Sequence, residues 1–126
     1  MKNKTLLISS GILTMLWGIS HIIPTNSIVE GFGDISVDNK RIILMEWINE
    51  GATLIFIGSL IILVTFIQTS ERKLKKAVYL LSFIMLISMA VLSLFTGFKV
   101  DFIAFRLCPV IFTLSAIPLL LYLIRK

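Results

Sequence analysis

From Ile42 to Ile67 the chain reads IILMEWINEGATLIFIGSLIILVTFI, long and apolar enough to cross a bilayer, yet with two glutamates and an asparagine in its first half. That combination restricts the fold more than any other feature. In lipid such a run must be helical, because each backbone N–H and C=O has to find its partner within the segment. At about 100° per residue, Glu46, Asn49, Glu50 and Thr53 fall in one arc, while Leu44, Ile48 and Ile55 point elsewhere. Two carboxylates and an amide on one stripe of a membrane helix cannot all face lipid. They face protein, trapped water or a ligand.

Three further runs share the apolar character, and the expected spans are residues 5–23, 42–67, 77–97 and 102–124. The fold class this implies is all-α: an integral membrane four-helix bundle, up-down-up-down, with residues 1–126 forming a single transmembrane domain. With 57% hydrophobic residues and a mean hydropathy of +0.99, the composition excludes a soluble domain of this size. Residues 1–23 have the basic tip and apolar run of a secretory signal, but no small-x-small site closes the run. Trp17, His21 and Pro24 occupy its end, so an uncleaved first span is expected. In that span Ser10, Gly11, Thr14, Trp17, Gly18 and His21 share a small, polar side suited to helix packing; Ile12, Leu13, Leu16, Ile19 and Ile23 share the side for lipid.

Pro24 is expected to close the first helix, and the long connection that follows, with Gly31 and Gly33 flanking Phe32, reads as a turn or a short re-entrant cap. Asp38 is the expected N-cap of the second span. The segment TSERKLKK, residues 69–76, reads as a basic turn, and Pro118 as a kink within the fourth span, which carries Arg106, Pro109, Thr113 and Ala116 on one side.

Orientation follows from Lys and Arg alone. Of the 12 in the chain, Lys2, Lys4, Arg72, Lys73, Lys75, Lys76, Arg125 and Lys126 fall on one side, against Lys40, Arg41, Lys99 and Arg106 on the other. Both termini and the 69–76 turn are therefore expected in the cytoplasm and the 25–40 loop outside. The net charge of +5 sits at membrane ends, so the partner it implies is anionic lipid at Arg72, Lys73, Lys75 and Lys76, not nucleic acid.

This orientation brings His21, Glu46, Asn49, Glu50, Asp101 and Arg106 to the same, outer leaflet from independent helices. Each charge within a span costs at least about 2.5 kcal/mol on insertion scales, so such groups pair or line a cavity. Arg106 with Glu46 or Glu50 is the expected ion pair, its planar fork suiting carboxylate oxygens. The cluster is read either as a polar clamp that fixes helix register or as a ligand pocket of His21, Glu46, Asn49, Glu50 and Arg106. Glu50, the deeper carboxylate, and His21, a lone histidine beside a carboxylate, favour the pocket. Trp17, Trp47, Tyr79 and Tyr122 read as interface anchors, with Trp17 and Trp47 as alternative pocket walls. His21, Glu46 and Glu50 lack the spacing of a metal site, and no cofactor is expected. Cys108 reads as packing.

In size, four spans, the Glu50-Gly51 pair followed by an apolar run with Gly58, the Gly11 and Gly18 of the first helix, and Arg106 early in the fourth, the chain resembles the DoxX-like small bacterial membrane proteins. That resemblance covers the layout of the whole chain and implies an integral protein of the bacterial inner membrane, in some members linked to redox complexes. The small multidrug resistance family is similar in outline only, because its first-helix carboxylate has no counterpart here. The sterol-isomerase-like fold, with His and Glu lining a membrane pocket, is an analogy of residue types. Three functions are carried forward. The first is a protein or accessory subunit holding a small amphiphilic or lipid-like ligand. The second is a membrane enzyme using Glu50 or His21 as acid/base, and the third a proton-coupled carrier working as a homo-oligomer.

Overall fold

A computed structural model describes residues 2–67, 71–97 and 103–125. It contains five helices among the described residues: α1 (Lys2–Ile22), α2 (Thr25–Gly31), α3 (Val37–Phe66), α4 (Arg72–Phe95) and α5 (Ile103–Ile124). Four of them, all but α2, are long and apolar enough to cross a membrane. They pack as a bundle, and the outer surface is a belt of large apolar side chains, with Phe56, Leu81, Phe95 and Ile103 each about two-thirds exposed. Only lipid can cover a belt of that extent. The protein is a small multi-pass membrane protein.

The closest helix pair is α1 with α3, and glycine makes it so. Gly11 lies against Gly58 and Gly18 against Gly51, two seven-residue steps that run antiparallel and meet backbone to backbone. A Cβ on Gly18 would stand 2.6 Å from the Gly51 carbonyl oxygen, and one on Gly58 2.5 Å from that of Gly11. Without a hydrophobic force between helices in lipid, such close approach supplies the packing. The sequence expectation for the first span holds: Ser10, Gly11, Thr14, Gly18 and His21 are buried and Ile12, Leu16, Ile19 and Ile23 exposed. Lys4 Nζ sits 4.6 Å from the Phe66 ring centroid, tying the free ends of the pair by a cation–π contact.

α5 packs on α4 and on α1, so the cross-section runs α3, α1, α5, α4. Its inward stripe is Cys108, Phe112, Ser115, Ala116 and Leu119; of the side read from the sequence, Pro109 and Ala116 are buried and Arg106 and Thr113 exposed. Phe112 and Leu119 fill the interior from this stripe, and the small Cys108, Ser115 and Ala116 let the neighbouring helices approach. Ser10 Oγ donates to the Ser115 carbonyl at 2.5 Å, and Thr14 returns its hydroxyl to Ser10 O at 2.8 Å. Pro109 and Pro118 both lie inside α5, which runs on through them.

Other expectations need correction. Ser36, not Asp38, caps α3, its Oγ accepting from Asn39 N at 3.2 Å; Asp38 stands in the first turn, 3.9 Å from Arg41. The helix therefore begins before Ile42 and, at about 1.5 Å per residue, is far longer than the hydrocarbon core. Within the supposed basic turn, Arg72 to Lys76 already form the start of α4. Tyr79 is no interface anchor: it is 1% exposed in the core, its hydroxyl 2.9 Å from Thr65 Oγ1 and its ring edge-on to Tyr122. The expected ends of the second and fourth spans near Gln68 and Phe102, and the positions of Lys99, Asp101 and Lys126, lie outside the described residues.

Candidate functional site

The last carbonyls of a helix have no partner within it, and at the end of α1 two other elements supply donors. Thr25 Oγ1 donates to Ile22 O at 2.5 Å, and the indole N–H of Trp47, from α3, donates to His21 O at 2.6 Å. This second bond lays the two rings together. The imidazole of His21 stacks on Trp47 with centroids 3.8 Å apart and 16° between planes, while Phe105 of α5 meets the same indole edge-on at 5.2 Å. His21 is thus held by its own helix end, and its side chain is 5% exposed.

Nε2 of that ring lies 3.3 Å from Oε2 of Glu50. The distance is within ion-pair range, but the alignment of a hydrogen bond is missing and Nε2 is left without a hydrogen-bond partner. An unsatisfied nitrogen so deeply buried is uncommon, since leaving it so costs about 1–3 kcal/mol. Glu50 itself is about one-third exposed.

The exposed part of that carboxylate faces a cavity of about 970 Å³. It exists because α3 and α4, although consecutive in the chain, scarcely touch. Along α3 the wall is Ile42, Ile43, Glu46, Trp47, Asn49, Glu50 and Thr53. Along α4 it is Met85, Met89, Leu92, Ser93 and Thr96. Phe105 and Cys108 of α5 back it, and Ser27, Ile28, Gly31 and Phe32, in and just after α2, close one end. The loop after the first span is therefore a cap, built by a short helix that starts at Pro24 and buries Thr25 and Ile28. Past Thr53 there is no further room: Leu54, Ile57, Ile61, Tyr79, Leu86, Phe112 and Leu119 fill the interior.

Of the residues singled out in the sequence, His21, Glu46, Trp47, Asn49 and Glu50 line this one cavity. Trp17 and Arg106 do not. Trp17 packs against the core, its indole N–H buried. The carboxylate of Glu50 meets the imidazole of His21 instead of the guanidinium of Arg106, which stands on an exposed stretch of α5 with interactions of its own. Cys108 is buried, as expected of a packing residue. Among the described residues no three His, Cys, Asp or Glu side chains gather as a metal site requires.

The residues of α2 and the methionines of α4 were missed. The signal for α2 was present: Pro24 at a helix start and Ile28-Val29 before Gly31-Phe32-Gly33. Met89 shares a helix side with Ser82, Ser93 and Thr96, and that polar side was its signal; for Met85 there was none, because a methionine facing a cavity and one facing lipid look alike in sequence.

No protein-family model, no curated protein and no solved structure matches this chain. The DoxX-like resemblance thus finds no support, and neither does the bacterial assignment drawn from it. What stands is the four-span helical bundle and its cavity.

Proposed function

We propose that the protein binds a small amphiphilic or lipid-like molecule in the cavity between α3 and α4. One observation carries this reading: the cavity joins a polar end at His21, Asn49 and Glu50 to an apolar wall of Ile43, Met85, Met89 and Leu92, between two spans that leave a gap toward the bilayer. A volume of about 970 Å³ falls within the range of small-molecule sites. Methionine walls suit a chain of variable shape, since the unbranched thioether adapts to its neighbours.

The surplus of Lys and Arg at the other membrane face supports an orientation with this pocket in the outer leaflet of the cell membrane, both termini cytoplasmic and residues 25–40 outside. Arg72, Lys73, Lys75 and Lys76 at the start of α4 then meet anionic lipid headgroups.

Acid/base catalysis by the His21–Glu50 pair is the second reading, favoured by the unsatisfied Nε2. The filled interior beyond Thr53 speaks against a proton path through one bundle.

The test is to purify the protein in defined nanodiscs, extract it, and identify retained molecules by mass spectrometry beside Met89→Trp, which obstructs the cavity at its apolar wall. A molecule retained by the wild type and lost from Met89→Trp is expected. The same retained set in both would overturn the reading.

A further inference from the structure

We propose that the ligand is a cationic amphiphile, an apolar chain ending in an ammonium group that sits between the carboxylates of Glu46 and Glu50. The proposal rests on the pocket reading above and adds the charge of the occupant.

Charge is distributed along the cavity wall in one sense only. Glu46 and Glu50 both line it, one turn apart on α3, and among the described residues no Lys or Arg does. Glu46 is exposed and makes no ion pair among the described residues, so its charge is available to an occupant. The basic groups of α4 stand at the far end of that helix. Carboxylates facing an apolar cavity at the edge of lipid attract a cation and repel an anion, by an interaction stronger than in bulk water.

A second observation comes from the histidine beside Glu50. The His21 side chain is 95% buried, being 5% exposed, lines the cavity and leaves Nε2 without a hydrogen-bond partner. Its ring cannot swing away to find one, because Trp47 stacks on it and holds its carbonyl. A fixed, unsatisfied ring nitrogen beside a carboxylate is half of a recognition site. An ammonium group bearing N–H donors completes it, giving protons to Nε2, to Glu50 and to the Asn49 amide oxygen. An alkyl chain then follows Met89 and Met85 into the gap between α3 and α4. A quaternary ammonium has no N–H to give, so primary and secondary amines are the expected class.

The experiment uses Trp47 as its reporter, since the indole lines the cavity. The full chain is placed in phosphatidylcholine nanodiscs and titrated with ω-bromododecylammonium, ω-bromododecanol and ω-bromododecanoate, bromine quenching tryptophan emission at contact. Amounts are normalised to partitioning into protein-free discs, and Trp47→Phe, which keeps Trp17, measures quenching away from the pocket. Saturable quenching by the ammonium compound is expected at a concentration about tenfold or more below that of the carboxylate. Glu46→Gln and Glu50→Gln should each weaken the ammonium compound far more than the alcohol, and Glu46→Lys should reverse the order of ammonium and carboxylate. Retained alcohol binding shows that each variant is folded. Equal or tighter binding of the carboxylate to the wild type, or ammonium binding indifferent to both Gln substitutions, overturns the charge assignment while leaving the pocket. Absence of saturable quenching by all three compounds overturns the pocket itself.

Discussion

Trp47 grips His21 twice, through a 2.6 Å hydrogen bond from its indole N–H to the histidine carbonyl and through ring stacking at 3.8 Å. One side chain of α3 thereby ends α1, orients the imidazole and forms a wall of the cavity. The bond answers a need every helix end has, and the stack follows from where the indole must lie to make it.

Trp47→Phe keeps an aromatic face and removes the donor. The His21 carbonyl is then orphaned in a buried position, and a loss of about 1–3 kcal/mol is expected. Reversible thermal or denaturant unfolding in a mild detergent measures it. An unchanged midpoint would mean that water or another donor serves this carbonyl.

The glycine seam gives a sharper contrast. At Gly18 a methyl group meets the Gly51 oxygen at 2.6 Å and the Ile55 nitrogen at 2.9 Å, whereas at Gly31 it meets nothing within 4 Å. Gly18→Ala should destabilise by about 1–3 kcal/mol or more, because backbone cannot yield as a side chain end does, and Gly31→Ala should be neutral. Comparable thermal shifts for the two variants would refute the interlocked seam.

Coupling between His21 and Glu50 is expected to be real and modest. The two groups are 3.3 Å apart, and the carboxylate is 37% exposed, so solvent screens much of their attraction. A double-mutant cycle with His21→Ala and Glu50→Gln should give an interaction of roughly 0.5–1 kcal/mol. Strict additivity would dissolve the pair, and a much larger value would show Glu50 to be sealed from solvent.

Topology is tested with single cysteines. Cys108 is buried and is replaced by serine to give a silent background. Ser36→Cys should react with an impermeant maleimide on intact cells, and Lys73→Cys only after permeabilisation, as the Lys and Arg imbalance requires. Labelling in the opposite order would invert the protein in its membrane.

The sequence alone determined the four apolar spans, the buried side of α1 with Ser10, Gly11, Thr14, Gly18 and His21, and the polar stripe Glu46, Asn49, Glu50 and Thr53. These are properties of one helix at a time, set by hydropathy and by a period of about 3.6 residues, and they survive whatever the helix packs against. Which residues meet across helices was decided only by tertiary structure. The partner of Glu50 is His21 because the glycines of α1 and α3 bring those two backbones into contact, and the choice of Gly51 and Gly58 as counterparts depends on an antiparallel register that neither helix encodes alone. The inward face of α5 and the burial of Tyr79 turned on the same point: a side chain is inside when another helix covers it, and periodicity does not say where the neighbour stands. The cavity is the furthest from the sequence, for it arises where α3 and α4 fail to close on each other, and a gap between two helices belongs to neither of them.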